Sequence, residues 1–219
     1  MVSFVIQSSI IKKVAMAISG IFLIIFLLQH FIINITSVFS ESIFNQFSHF
    51  MGTNFVVQFI AQPILILGVV FHFVMGFVLD FKNRTSRKIK YVKYKGDANA
   101  SWMSRNMIIS GLVVLSFLGL HFYDFWIPEM NYKYVEFLPD DPNRYYDELT
   151  HKFEDLTKVV IYVISFGFLS LHLLHGFSSS FQSLGLNKYN FLIKIIANIY
   201  AVGIPLGFSF IAIFHHLNS

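Results

Sequence analysis

The stretch Ser19-Gly20-Ile21-Phe22-Leu23-Ile24-Ile25-Phe26-Leu27-Leu28-Gln29-His30 sets the reading of this chain. Nine residues separate the glycine from the histidine, all uncharged and all but Gln29 apolar. The same arrangement returns at Ser110-Gly111 and His121, again with nine residues between. A second pattern alternates with the first. It reads histidine, three residues, Gly-Phe, and occurs as His72 with Gly76-Phe77 and as His172 with Gly176-Phe177. Each copy sits in an apolar run of helix length.

Working outward, the composition agrees with such runs. Of 219 residues, 55% are hydrophobic and 13% charged, a balance that indicates an integral membrane protein rather than a soluble core. The sequence predicts an all-α fold, one membrane domain over 1–219. Cysteine is absent, which excludes disulfides, thiolate-ligated haem and iron–sulfur clusters held by this chain. The net charge of +4 is not a nucleic-acid signal, because the cations are grouped by topology. Lys12-Lys13 before an apolar run imitates a signal peptide, but the run is too long and no small-residue cleavage site follows.

Five spans are predicted, at 15–38, 55–80, 106–127, 156–180 and 191–214, each near the ~20 residues that cross a bilayer. Lys12 and Lys13, the 82–105 connection with its many Lys and Arg, and Lys188 and Lys194 then share one side. The other side holds Glu41 and an acidic 124–155 connection. Basic loops stay cytoplasmic, so the N-terminus is expected inside and the C-terminus outside. Pro63 and Pro205 are expected to kink their spans. Gly203 and Gly207 form a small-residue pair suited to close packing. Asp80 and Asp124 read as span ends, which leaves no acidic proton wire at depth. His151, His215 and His216 read as solvated.

A histidine inside the bilayer is costly without a partner, and four on separate helices point to a cofactor that takes imidazoles in pairs. Haem iron does so. With a rise of ~1.5 Å per residue, His30 and His121 share a depth toward the outer side. His72 and His172 share one toward the inner side, the two levels lying ~15 Å apart. Gly20 and Gly111 lie ~15 Å along their helices from His30 and His121, near the level of the other pair. They are placed to admit the flat macrocycle that their own helix does not ligate. Gly76 and Gly176 are grouped with the inner histidines as cofactor-facing positions. His175 competes with His172; equivalence with His72 favours His172.

Two further regions carry function. The basic 82–105 connection, with 181–190 beside it, is the expected docking surface for a partner, Trp102 and Arg105 being its candidate contacts. Asn45 and His49, four residues apart on the outer side, fall on one face of a helical turn. They are candidate contacts for a quinone beside the outer haem. The competing quinone location is the inner end near Ser101, Trp102 and Arg105.

Together these residues resemble the di-haem cytochrome b subunit of bacterial succinate:quinone oxidoreductases and fumarate reductases, of the single-anchor, five-helix type. The resemblance rests on Gly20-x9-His30, Phe44-Asn45…Ser48-His49-Phe50-Met51, His72-x3-Gly76, Gly111-x9-His121 and His172-x3-Gly176 running to Leu184-Gly185. It implies two haems b, ligated by His30 with His121 and by His72 with His172. It also implies an iron–sulfur subunit and a flavoprotein subunit as partners, a quinone (often menaquinone) as electron acceptor, and residence in the bacterial cytoplasmic membrane. Succinate dehydrogenase chemistry would then sit on the partners and quinone chemistry here. Some fumarate-reducing relatives carry glutamate where this chain has Ser170, so no proton path is expected there. Alternatives are a di-haem anchor of a hydrogenase or formate dehydrogenase, or a haem-free transporter or anchor.

Overall fold

A computed structural model describes residues 9–85, 106–186 and 190–219. The described chain is helical, with no strand among the described residues. In order it forms α1 (Ser9–Phe39), α2 (Glu41–Thr53), α3 (Val57–Thr85), α4 (Met107–Tyr134), α5 (Arg144–Phe153), α6 (Leu156–Ser183) and α7 (Asn190–Asn218). Five of these, α1, α3, α4, α6 and α7, are long and apolar enough to cross a membrane. The short helices α2 and α5 lie together at the end of the bundle opposite Lys13, Asp80 and Asn83.

The buried stripe of α7 explains how the bundle closes. Ala197, Ala201, Ile204, Phe208, Ile211, Ala212 and His215 recur at three- and four-residue steps and are all buried. This face packs most extensively against α6 and then against α1. Small residues let the backbones approach. Gly207 receives the ring of Phe31, which leaves no room for a side chain there. Gly203 does not share that work: among the described residues nothing lies within 4 Å of where its Cβ would stand. The small-residue pair is thus a single contact, because one glycine of the two points away from the neighbouring helix. Outward faces carry large apolar side chains, such as Leu67 and Ile199, which lipid accepts at no cost.

The spans differ from expectation mainly at their ends. Helices continue past the apolar window, since the backbone needs its hydrogen bonds in the interface as well. Pro63 follows a single π turn, Val57–Ala61, where the wider turn accommodates the ring and the missing donor. The third span runs on to Tyr134 through a second π turn, Phe122–Trp126. Asp124 therefore lies inside the helix, ten residues before its end. The acidic connection after it is partly ordered as α5, and the 39–54 connection forms α2.

Candidate functional site

The four histidines meet in two facing pairs. The rings of His30 (α1) and His121 (α4) have centroids 5.8 Å apart and planes at 86°. The rings of His72 (α3) and His172 (α6) lie 6.4 Å apart at 71°. A metal–imidazole bond is about 2 Å long, so two imidazoles sharing one metal between them place their centroids about 6 Å apart. Both pairs have that spacing.

The two halves of the bundle build the His72/His172 pair in the same way. Ser19 Oγ donates to the carbonyl of Met16 at 2.8 Å and lies 3.0 Å from His72 Nδ1. Ser110 Oγ donates to the carbonyl of Met107 at 2.9 Å and lies 3.3 Å from His172 Nδ1. Each hydroxyl proton is spent on the helix, so the hydroxyl oxygen is left to accept. The imidazole then carries its proton on Nδ1 and keeps the Nε2 lone pair free for a ligand role. The serine next to each glycine was visible in the sequence. Its task was not, because the histidine it serves is on another helix.

The glycines face the same place. A Cβ at Gly20 would stand 3.5 Å from His72 Cε1 and 2.9 Å from Ser180 Oγ. One at Gly111 would stand 3.6 Å from His172 Cε1. Opposite Gly76 and Gly176 stand the methyl groups of Met16 and Met107, at 3.7 and 3.3 Å from the position a Cβ would take. All four glycines, with His72, His172 and His175, line one cavity of about 560 Å³, well within the size of cofactor sites. Its walls are otherwise mainly apolar, with Leu23, Leu27 and Val69 among them. No residue of α3 is buried, as expected of a helix that borders this space. His172, not His175, faces His72. His175 lies on the cavity wall beside a second, smaller recess.

Gly20 touches the His72 level while His30 lies ten residues further along the same helix. The two pairs are thus separated by about 15 Å along the helix axis. The His30/His121 pair is enclosed by aromatics in matching positions. Phe26 stacks on His30 at 5.6 Å and Phe117 on His121 at 5.9 Å, each one turn before its histidine. Phe208 closes on His30 at 5.7 Å. His121 Nδ1 is buried with no hydrogen-bond partner among the described residues.

Beside this pair the sequence reading needs correction. Asp124 is 1% exposed. Its carboxylate accepts from Lys158 Nζ at 2.9 Å and from Tyr162 Oη at 3.0 Å. The Tyr162 ring in turn lies 6.5 Å from His121. A buried acid therefore does stand near the outer histidines, paired with a lysine from the start of α6. A charge in a falling hydropathy profile looks like a helix end, and its partner lies 34 residues away. His215 also departs from the expected solvated role: it is 1% exposed, with Nε2 2.8 Å from Ser37 Oγ. His216 Nδ1 lies 2.9 Å from the Phe153 carbonyl. His151 is exposed, as read.

The helix α2 places Asn45 and His49 one turn apart, yet they do different work. Asn45 is 3% exposed; its amide donates to the Asn143 carbonyl at 3.0 Å and accepts from the Tyr146 backbone at 2.8 Å. This clamps α5 onto α2. His49 is partly exposed, with Nε2 3.6 Å from Asp140 and a buried Nδ1 that has no hydrogen-bond partner among the described residues. Next to it Arg144 is sandwiched between the rings of Tyr132 and Tyr145, at 4.0 and 4.4 Å, and pairs with Glu129 and Glu148. Burial opposes its charge, but the two carboxylates outweigh burial and hold its pKa above the usual value. Trp102, Arg105 and most of the 82–105 connection lie outside the described residues.

No family model, no characterised protein and no solved structure matches this chain.

Proposed function

We propose that this chain is the di-haem cytochrome b membrane subunit of a succinate:quinone oxidoreductase, anchoring an iron–sulfur and a flavoprotein subunit and serving a quinone pool, menaquinone in the first instance. The observation that carries the haem reading is the spacing of the two imidazole pairs, 5.8 and 6.4 Å between centroids. The donor set fits: two facing imidazole pairs, one of which has both Nδ1 positions beside a serine hydroxyl and lines a mainly apolar cavity bordered by four glycines. Haem b, when bound, supplies reversible one-electron storage. The chain's part is to present Nε2 of His72 and His172 toward one another, to keep the Nδ1 proton in place through Ser19 and Ser110, and to exclude water. His30 and His121 face one another within an aromatic wall, with no serine at their Nδ1 positions among the described residues.

For the quinone, His49 is the better contact of the two outer candidates, because Asn45 has its amide engaged by the chain. His49 is exposed enough to meet a ligand.

The assignment is tested by purifying the protein from its native membrane. Two low-spin haems b per chain are expected in the visible spectrum, with a flavoprotein and an iron–sulfur protein in the same complex. A haem-free preparation, with the chain folded, removes the cytochrome reading. Two haems with hydrogenase or formate dehydrogenase subunits would retain the cytochrome and replace the partner.

A further inference from the structure

A second recess lies between α6 and α7, at the end of the bundle where α6 stops at Ser183 and α7 starts at Asn190. Its volume is about 240 Å³. His175, Ser178, Ser179 and Gln182 supply one wall, at the three- and four-residue steps of one helix face; Lys194 and Asn198 supply the other. Among the described residues the lining holds hydroxyl, amide and imidazole groups, one ammonium and the side chain of Leu174, and no carboxylate. His175 lies eight residues inside the end of α6, and Asn198 eight inside the start of α7. The recess thus reaches about 12 Å from the helix ends.

The face of α7 below the recess changes character. In four-residue steps it runs Lys194, Asn198, Val202, Leu206, and the last two are exposed and apolar. Polar and cationic at the bundle end, apolar deeper in, this is the profile of a lipid molecule. A donor-rich pocket with a cation and no acid suits a phosphate oxygen cluster. Pockets of this type between spans on the lysine-rich side take anionic headgroups.

We propose that this groove is a binding site for an anionic phospholipid, its phosphate held by Lys194, Asn198 and the Ser178 hydroxyl and its acyl chains laid along Val202 and Leu206. The site is independent of the haem reading. It also places the unassigned His175 as the partition between the lipid groove and the cavity of the inner histidines.

The test uses the full-length protein, delipidated in mild detergent. Phosphatidylglycerol, phosphatidylcholine and inorganic phosphate are added separately, and bound lipid is counted by native mass spectrometry alongside the melting temperature. Phosphatidylglycerol should bind and raise the melting temperature, whereas phosphatidylcholine should bind far less. The Lys194→Gln variant should weaken phosphatidylglycerol about fivefold, and Lys194→Gln with Asn198→Leu about tenfold or more. Lys194→Arg should retain it, which guards against a variant that merely misfolds. Equal binding of phosphatidylcholine, or unchanged phosphatidylglycerol affinity in Lys194→Gln, would overturn the proposal. So would displacement of the lipid by millimolar inorganic phosphate, which would make the groove a site for the free anion.

Discussion

Ser19 Oγ lies 3.0 Å from His72 Nδ1, on a helix that approaches α3 closely at this level. The same oxygen is tied to the Met16 carbonyl, so its direction is set by α1 and not by solvent. Ser110 and His172 repeat the arrangement. This relationship turns a costly buried imidazole into one with a defined tautomer and a defined aim.

Removing that acceptor should weaken the site without dismantling the bundle. Ser19→Ala or Ser110→Ala should reduce haem affinity about 10- to 100-fold, the usual effect of deleting an outer-shell partner. Ser19→Thr should restore it. Haem titration of the apoprotein measures this, and identical affinity in wild type and Ser19→Ala would remove the role of the hydroxyl.

The ligand set makes a sharper expectation. His30→Ala or His121→Ala should leave one haem of the two, and His72→Ala or His172→Ala should leave the other. His175→Ala should keep both, since His175 does not face His72. Haem content per protein decides. Loss of a haem in His175→Ala, with both retained in His172→Ala, would reverse the assignment on α6.

Bulk at the glycines should act selectively. Gly111→Leu projects beside His172, 3.6 Å from the first added carbon, into the cavity. It should abolish the inner haem and spare the outer one. Gly119→Leu, with nothing within 4 Å, should leave both in place. The spectrum at low temperature, where the two sites resolve, distinguishes them.

The Asp124–Lys158 pair predicts asymmetric costs. Lys158→Met leaves a carboxylate at 1% exposure with Tyr162 as its remaining side-chain donor among the described residues. It should destabilise by about 3 kcal/mol, reduced from a fully buried pair because Lys158 is partly exposed. Asp124→Leu combined with Lys158→Met should recover much of that loss. Thermal unfolding in detergent is the measurement, and a double variant no better than the single one would contradict the ion-pair account.

Tyr145 gives a pH signature outside the spans. Burial, and then the charge of Glu129, push its phenol up to about 12. The neutral phenol is the form the fold favours. Its stabilisation is therefore full below about pH 10, the value of a free tyrosine, and is lost as pH rises through the folded value. The difference in phenolate absorbance between wild type and Tyr145→Phe should rise near pH 12. A rise near pH 10 would show that the ring is solvated.

Much of this protein is written along the chain. Hydropathy is local and additive, so five apolar runs were legible as spans before any contact was known. Helical rise is regular, so His30 and His121 could be grouped by depth from counting alone, as could His72 and His172. Identical Ser-Gly-x9-His phrases also announced that two helices do equivalent work.

Partners of polar groups were not legible, because they depend on which helices become neighbours. Asp124 read as a span end until a π turn and Lys158 placed it inside. His215 read as solvated until Ser37, at the far end of α1, came to it. The hydrogen bonds of the Asn45 amide to Asn143 and Tyr146 were likewise not legible along the chain. Gly203 and Gly207 are alike in sequence, yet only one meets a ring. In each case the local pattern allows several environments of similar cost. The bundle selects one because a buried polar group must find its hydrogen bond, and a buried glycine its close neighbour, wherever packing has put them.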